Sequence, residues 1–176
     1  MIDLAGVIEF RVDGEPVQMP KEQAGASIYR DKSGKPKIRK WSYYRQRKKG
    51  RSWRDWKREI ELVAHDYMRR RGVEPFGKDT ALVLVVIVYR TMPKSYRRKT
   101  MPPKKPYPNI TPDADNLAYL PTNALKGICY HDDYLPVTKV VHKRWADENR
   151  SPGIKVVIFD LIEHPEYLEE PWIMTP

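Results

Sequence analysis

The sequence predicts an α+β (mixed α/β) fold: a single domain in which one mixed sheet has helices packed on it. Three observations predict it. Ala81 to Tyr89 is an almost unbroken apolar run and reads as a strand covered on both faces. Trp53 to Arg71 places Trp53, Trp56, Ile60, Val63, Ala64 and Tyr67 at helical spacing. The order strand, helix, strand, turn, helix, strand, strand fits one sheet with helices on it. A length of 176 residues suits one domain. Its predicted extent is residues 1–164, with 20–51 a basic hairpin or arm and 165–176 an acidic C-terminal tail.

Val7 to Val12 alternates as a strand, an Asp13-Gly14 turn follows, and Val17-Gln18 is placed to return beside it. In the basic arm, Ser33-Gly34-Lys35-Pro36 reads as a turn between Ser27–Tyr29 and Ile38–Trp41. Ser52 with Asp55 three residues on is a variant capping box that opens the first helix. Arg69, Arg70 and Arg71 suit its C-terminal dipole, and Gly72 can cap it. After the apolar strand, Pro93, Pro102 and Pro103 make Arg90 to Lys105 a loop. Pro112-Asp113-Ala114-Asp115-Asn116 opens a second helix that runs to Lys126, with Gly127 ending it and Pro121 expected to kink or break it near Leu120. Val137–Trp145 and Ile154–Ile162 are the last strands, joined by a hairpin loop.

Thirty-three Lys+Arg against 23 Asp+Glu give a net charge of +10. The surplus is concentrated. Fourteen Lys/Arg fall between Arg30 and Arg58, and seven between Arg90 and Lys105, where there is no acid. Beyond Lys155 no Lys or Arg follows, and five acids do. A polyanion suits such a field, and nucleic acid is the commonest one. Trp41, Tyr43 and Tyr44 interleave with the cations, either to stack on unpaired bases or to pack on the core. The single cysteine, Cys129, excludes an internal disulfide and a cysteine-based zinc site. No run reaches the roughly 18 apolar residues of a membrane span, and the start lacks a signal-peptide pattern. The expectation is a cytoplasmic protein with no membrane partner.

Against this basic background the acids stand out. Asp113 and Asp115 are two apart where an extended segment enters a helix, so their carboxylates share a side. Asp132 and Asp133 follow in the turn after that helix. Two readings stand: helix-capping and turn-forming residues, or ligands of a hard cation. An EF-hand is excluded, because counting from Asp113 the sixth and twelfth positions are Ala118 and Ala124. The combination of a basic chain with a few clustered acids favours the cation. Acids that meet phosphates through a divalent ion give phosphodiester hydrolysis.

The run Thr111-Pro112-Asp113-Ala114-Asp115-Asn116-Leu117, then Asn123-Ala124-Leu125-Lys126-Gly127 and Tyr130-His131-Asp132-Asp133, resembles the RusA family of Holliday junction resolvases (crossover junction endodeoxyribonucleases), in its phage or prophage form. Met92-Pro93-Lys94-Ser95 and Lys143 fit the same pattern. The resemblance implies a RusA-like fold. It implies a homodimeric, magnesium-dependent endonuclease, with manganese as a substitute ion, that nicks a four-way DNA junction symmetrically in recombination and repair. It implies Asp113, Asp115 and Asp133 as catalytic metal ligands, Asp132 as an accessory acid, and Lys143 at the scissile phosphate. The DNA arms would be held by Lys35, Lys37, Arg39, Lys40, Arg45, Arg47, Lys48, Lys49, Arg97, Arg98, Lys99 and Lys126. Tyr119, Asn123 and Thr111 depart from the family pattern, which has lysine, aspartate and lysine there. Two rivals follow: a branched-DNA binder impaired in cutting, and a basic RNA-binding module.

Overall fold

The computed structural model describes residues 6–18, 22–44, 52–96, 107–147 and 150–164, with 22–28 and 38–44 described by their backbone. The acidic tail expected at 165–176 lies outside these residues. Strand β1 (Val7–Asp13) alternates as its sequence requires, burying Ile8, Phe10 and Val12. It pairs antiparallel with the last strand, Val7 opposite Phe159 and Asp13 opposite Gly153. The expected return at Val17-Gln18 is not a strand. The Glu15 carboxylate just before it is drawn instead to Thr91, whose N–H and hydroxyl donate at 3.0 and 2.7 Å.

The basic arm is a hairpin. Strands β2 (Glu22–Arg30) and β3 (Pro36–Tyr44) form a separate two-stranded sheet. Asp31 nucleates the turn by accepting from the Ser33 backbone at 2.9 Å, and Gly34 supplies the positive φ of 80°.

Helix α1 (Trp53–Arg71) has both halves of the Ser52–Asp55 capping box and ends at Gly72 in the left-handed conformation. Its buried stripe is Trp56, Ile60, Ala64 and Met68, the spacing of one helical face. Strand β4 (Leu82–Arg90) is buried along nearly its whole length. A short 3-10 turn, Lys94–Tyr96, interrupts the segment read as wholly irregular.

Helix α2 (Ala114–Leu125) is unbroken through Pro121, against the expected break. Proline removes one helical N–H and crowds the preceding carbonyls. The acceptor it leaves is Leu117 O; beside it the Thr122 hydroxyl donates to Ala118 O at 2.9 Å and Asn123 Nδ2 to Tyr119 O at 2.8 Å, additional bonds to carbonyls of the same turn. Pro121 itself is buried, so its apolar ring is satisfied there.

Strands β5 (Pro136–Trp145) and β6 (Gly153–Asp160) complete a four-stranded sheet in the order β1-β6-β4-β5, with β4 and β5 parallel and the other pairs antiparallel. The β4–β5 ladder takes an extra residue at Val137, since Leu82 pairs with Pro136 and Val83 with Thr138. Both helices lie on one face. That face joins Ile8, Phe10, Trp56, Ile60, Leu84, Val86, Leu117, Leu120 and Val156 into one core. Each fully buried aliphatic there contributes about 1.5–3 kcal/mol. The other face buries Val83, Val85, Ile87, Tyr89, Val157 and Phe159. Among the described residues no helix is long and apolar enough to cross a membrane.

Candidate active site

The second helix has acids at both ends, and the structure treats the two ends differently. At its start, Asp113 is the N-cap residue with extended backbone (φ −67°, ψ 161°), yet its side chain makes no capping hydrogen bond. The carboxylate is therefore not consumed by the helix. Asn116 Nδ2 approaches it at 3.5 Å, a weak contact. Asp115 is exposed in the first turn, and the positive helix terminus favours both charges.

Two cations hold the segment that leads into Asp113. Lys143, on β5, donates from Nζ to Ile110 O at 2.5 Å and Pro112 O at 2.8 Å. Arg90, at the end of β4, donates from Nη1 to Thr111 O at 2.8 Å and reaches Glu15 at 3.3 Å. Three consecutive carbonyls are thus clamped to the ends of adjacent parallel strands. Burial, with the nearby Arg90 charge, lowers the Lys143 pKa, and Asp113 opposes the shift. A cleft of about 450 Å³ opens here, lined by Tyr107, Asn109, Ile110, Asp113 and Lys143 among others. Arg90 and Glu15 were not singled out from the sequence; the only signal was an arginine at the end of an apolar strand.

At the other end of α2 the acids are engaged. Lys126, the C-cap residue, places Nζ 2.6 Å from Asp132 and 3.6 Å from Asp133. The Lys126 ammonium, hydrogen-bonded to Asp132, is the first cause that holds that carboxyl down at about 2, with the Asp133 hydrogen bonds adding to it. Lys126, read from sequence as a DNA contact, is committed to these two acids. Next to them Cys129 is fully buried and its thiol is pushed up to about 12 by burial, so it is no nucleophile.

The single cluster expected of Asp113, Asp115, Asp132 and Asp133 does not form within one chain. Among the described residues no three acid, histidine or cysteine side chains lie together as a metal-holding group. The physical reason is the scaffold between them. The 12-residue helix rises about 18 Å. Strand β5, from Pro136 beside the Asp132-Asp133 turn to Lys143 beside Asp113, covers about 23 Å.

Of the residues expected to hold DNA, Lys35 and Lys37 are exposed at the β2–β3 hairpin, where Lys37 sits 3.3 Å from Asp31. Arg39 and Lys40 lie on β3, with side chains outside the described residues. Arg45, Arg47, Lys48, Lys49, Arg97, Arg98 and Lys99 also lie outside them.

A family model described as Endodeoxyribonuclease RusA matches residues 31–159. No curated protein matches the sequence.

Proposed function

The chain belongs to the RusA endodeoxyribonuclease family, and from that premise we propose that it resolves four-way DNA junctions by paired symmetric nicks, as a homodimer that uses magnesium. The enzyme is a nuclease of the Holliday junction resolvase family. The observation that carries the finer reading is the uncapped Asp113 carboxylate, two residues from exposed Asp115 and beside Lys143 at the mouth of a cleft.

The donor chemistry there fits a divalent ion. Magnesium needs one or two carboxylates and takes its remaining ligands from water and phosphate. Asp113 and Asp115 offer such a pair, neither tied to a lysine or arginine among the described residues. When bound, the ion would supply an activated water and charge neutralisation at the phosphate. The protein's own part is positioning. Lys143 and Arg90 fix the backbone before Asp113 so that its carboxylate faces the cleft. An ammonium has three protons and Lys143 donates two to these carbonyls, so one would be left for a phosphate oxygen as negative charge develops.

Asp132 and Asp133 take part from a second chain. Within one chain they are a helix length away, but in a two-fold dimer one end of α2 can meet the other end of its copy. Tyr119, 57% exposed midway along α2, marks the surface such a contact would use.

The test is a labelled four-way junction incubated with the protein, with and without magnesium, beside three-way and linear substrates. Paired nicks in the four-way substrate, abolished by chelator and by Asp115→Asn, are expected. Nicking that persists in either condition would overturn the metal assignment. Tight junction binding without nicks, in magnesium or manganese, would favour a binder impaired in cutting. The presence of Tyr119 in place of the family's lysine is the observation behind that second reading. Equal affinity for linear and branched DNA, with no metal effect on melting, would favour the basic RNA-binding module.

A further inference from the structure

The sheet face opposite the helices carries a second basic site. Strand parity sends Arg11 of β1, Lys155 of β6 and Arg144 of β5 to that face, and Arg150 joins them from the loop between β5 and β6. Together with Tyr89 and Ile87 they line a cleft of about 490 Å³. The Tyr89 ring lies near two guanidinium groups, Arg11 at 4.9 Å and Arg150 at 5.8 Å from its centroid. Asp13 orients Arg11 at 2.8 Å, and Ser151 accepts from the same guanidinium. Glu9 meets Lys155 at 2.7 Å.

Long cationic side chains often lie on an apolar sheet simply to cover it with their stems. That does not account for the placement here. Arg11 and Lys155 are direct cross-strand partners, a like-charged pairing that the sheet holds with an acid beside each, Asp13 and Glu9. Asp13 and Glu9 each pair with one of these cations, and Arg11, Lys155, Arg144 and Arg150 all converge on one cleft beside the Tyr89 ring. A chain of phosphates is the ligand that such a gathering of cations fits, with the Tyr89 ring beside two of the guanidinium groups.

The cleft and the Asp113 site share one rim of the sheet. Tyr89 and Arg90 are consecutive on β4, and Lys143 and Arg144 are consecutive on β5. In each pair one residue faces the cleft and its neighbour clamps the Asp113 segment. We propose that Arg11, Arg144, Arg150 and Lys155 bind the phosphate backbone of a DNA arm that passes over this rim to the Asp113 end. The inference rests on the resolvase reading for the identity of the polyanion.

The test uses the full chain in calcium or chelator, so that binding is read without cutting. Anisotropy of a labelled four-way junction, and of a linear duplex with one arm's sequence, is titrated at several salt concentrations. Arg144→Gln with Arg150→Gln is expected to weaken junction binding about tenfold. In a dimer that loses two phosphate contacts per protomer, it should make the slope of log K against log salt shallower by about 4, since each lost contact removes about 0.9. Arg70→Gln with Lys78→Gln removes the same charge at the far end of the sheet and should keep the wild-type slope. Arg144→Lys with Arg150→Lys should retain most of the slope. If the double glutamine variant fails to melt cooperatively, the exposed Arg150→Gln alone carries the test, with an expected change of about 2 for the dimer. A wild-type slope in the cleft variants, or equal losses in the cleft and far-end variants, overturns the proposal. If the wild type nicks the junction and the cleft variants keep its affinity, only this inference falls. If the wild type binds no DNA, the resolvase reading falls with it.

Discussion

The two ends of α2 each carry two aspartates and differ in what surrounds them. At the N-terminal end the carboxylates are exposed, assisted by the helix terminus, and the neighbouring cations spend their protons on backbone carbonyls. At the C-terminal end Lys126 already neutralises Asp132 and approaches Asp133. A carboxylate pair is available to a divalent ion only where no lysine has taken the ion's place. The Asp113 end is therefore the one open to the proposed metal, and in the proposed dimer Asp132 and Asp133 would reach it from the other chain.

The largest effect should come from mixing chains. Asp115→Asn and Asp133→Asn homodimers are each expected to lose about a hundredfold or more of nicking activity, as at other metal sites. Mixed one to one with exchange of chains, they should regain about a quarter of the wild-type rate as single nicks, because about half of the dimers are mixed and each of those has one site with both intact ends. Single-turnover nicking of the mixture measures this. No recovery, with Asp133→Asn inactive alone, would break the comparison by requiring both ends in one chain's site.

A smaller effect is expected at the clamp. Lys143→Met leaves two carbonyls without their charged donor and should cost about 2 kcal/mol of stability. Nicking should fall about tenfold, and Arg90→Met should act in the same direction. Urea unfolding together with initial nicking rates checks both. A loss of activity with no loss of stability would mean that Lys143 serves the phosphate alone.

The smallest effect sharpens the other end. Asp132 is depressed to about 2 by Lys126, so the pair stabilises the fold above the ordinary carboxylate value of 3.8 and loses that contribution as pH falls toward 2. Lys126→Met should thus melt below wild type at about pH 6, and the gap should close at about pH 2. Lys126 is exposed and Asp132 only partly covered, so the gap is small. Thermal melts across that range decide it.

Local signals were the legible ones. The Ser52–Asp55 box, the apolar positions Trp56, Ile60 and Ala64, and Gly72 all act within a few residues, and α1 has the expected bounds. Pro121 misled because burial of the ring, together with Leu117, Leu120, Ala124 and Leu125, holds the helix against a backbone rule that treats proline alone. The acids were legible as residues but not as a geometry, since a motif read along the chain does not say that a helix and a strand hold its halves apart. The second basic cleft left no trace in the sequence. Its four cations are scattered from Arg11 to Lys155, and only the sheet register makes them neighbours.

The extra residue at Val137 has a reach well beyond its own position. With regular pairing from Leu82–Pro136 onward, Lys143 would stand opposite Tyr89 and point away from the helices; the offset places it opposite Val88 instead. Ironing the irregularity flat while keeping Val137 would turn the rest of β5 over, sending Arg144 to the helix side and Lys143 to the opposite cleft. Removing Val137 altogether would leave both lysine and arginine where they stand, since the downstream pairing already skips it. One unpaired position near the start of the strand therefore acts as a phase setting for the whole downstream edge, deciding which cation serves which side of the protein.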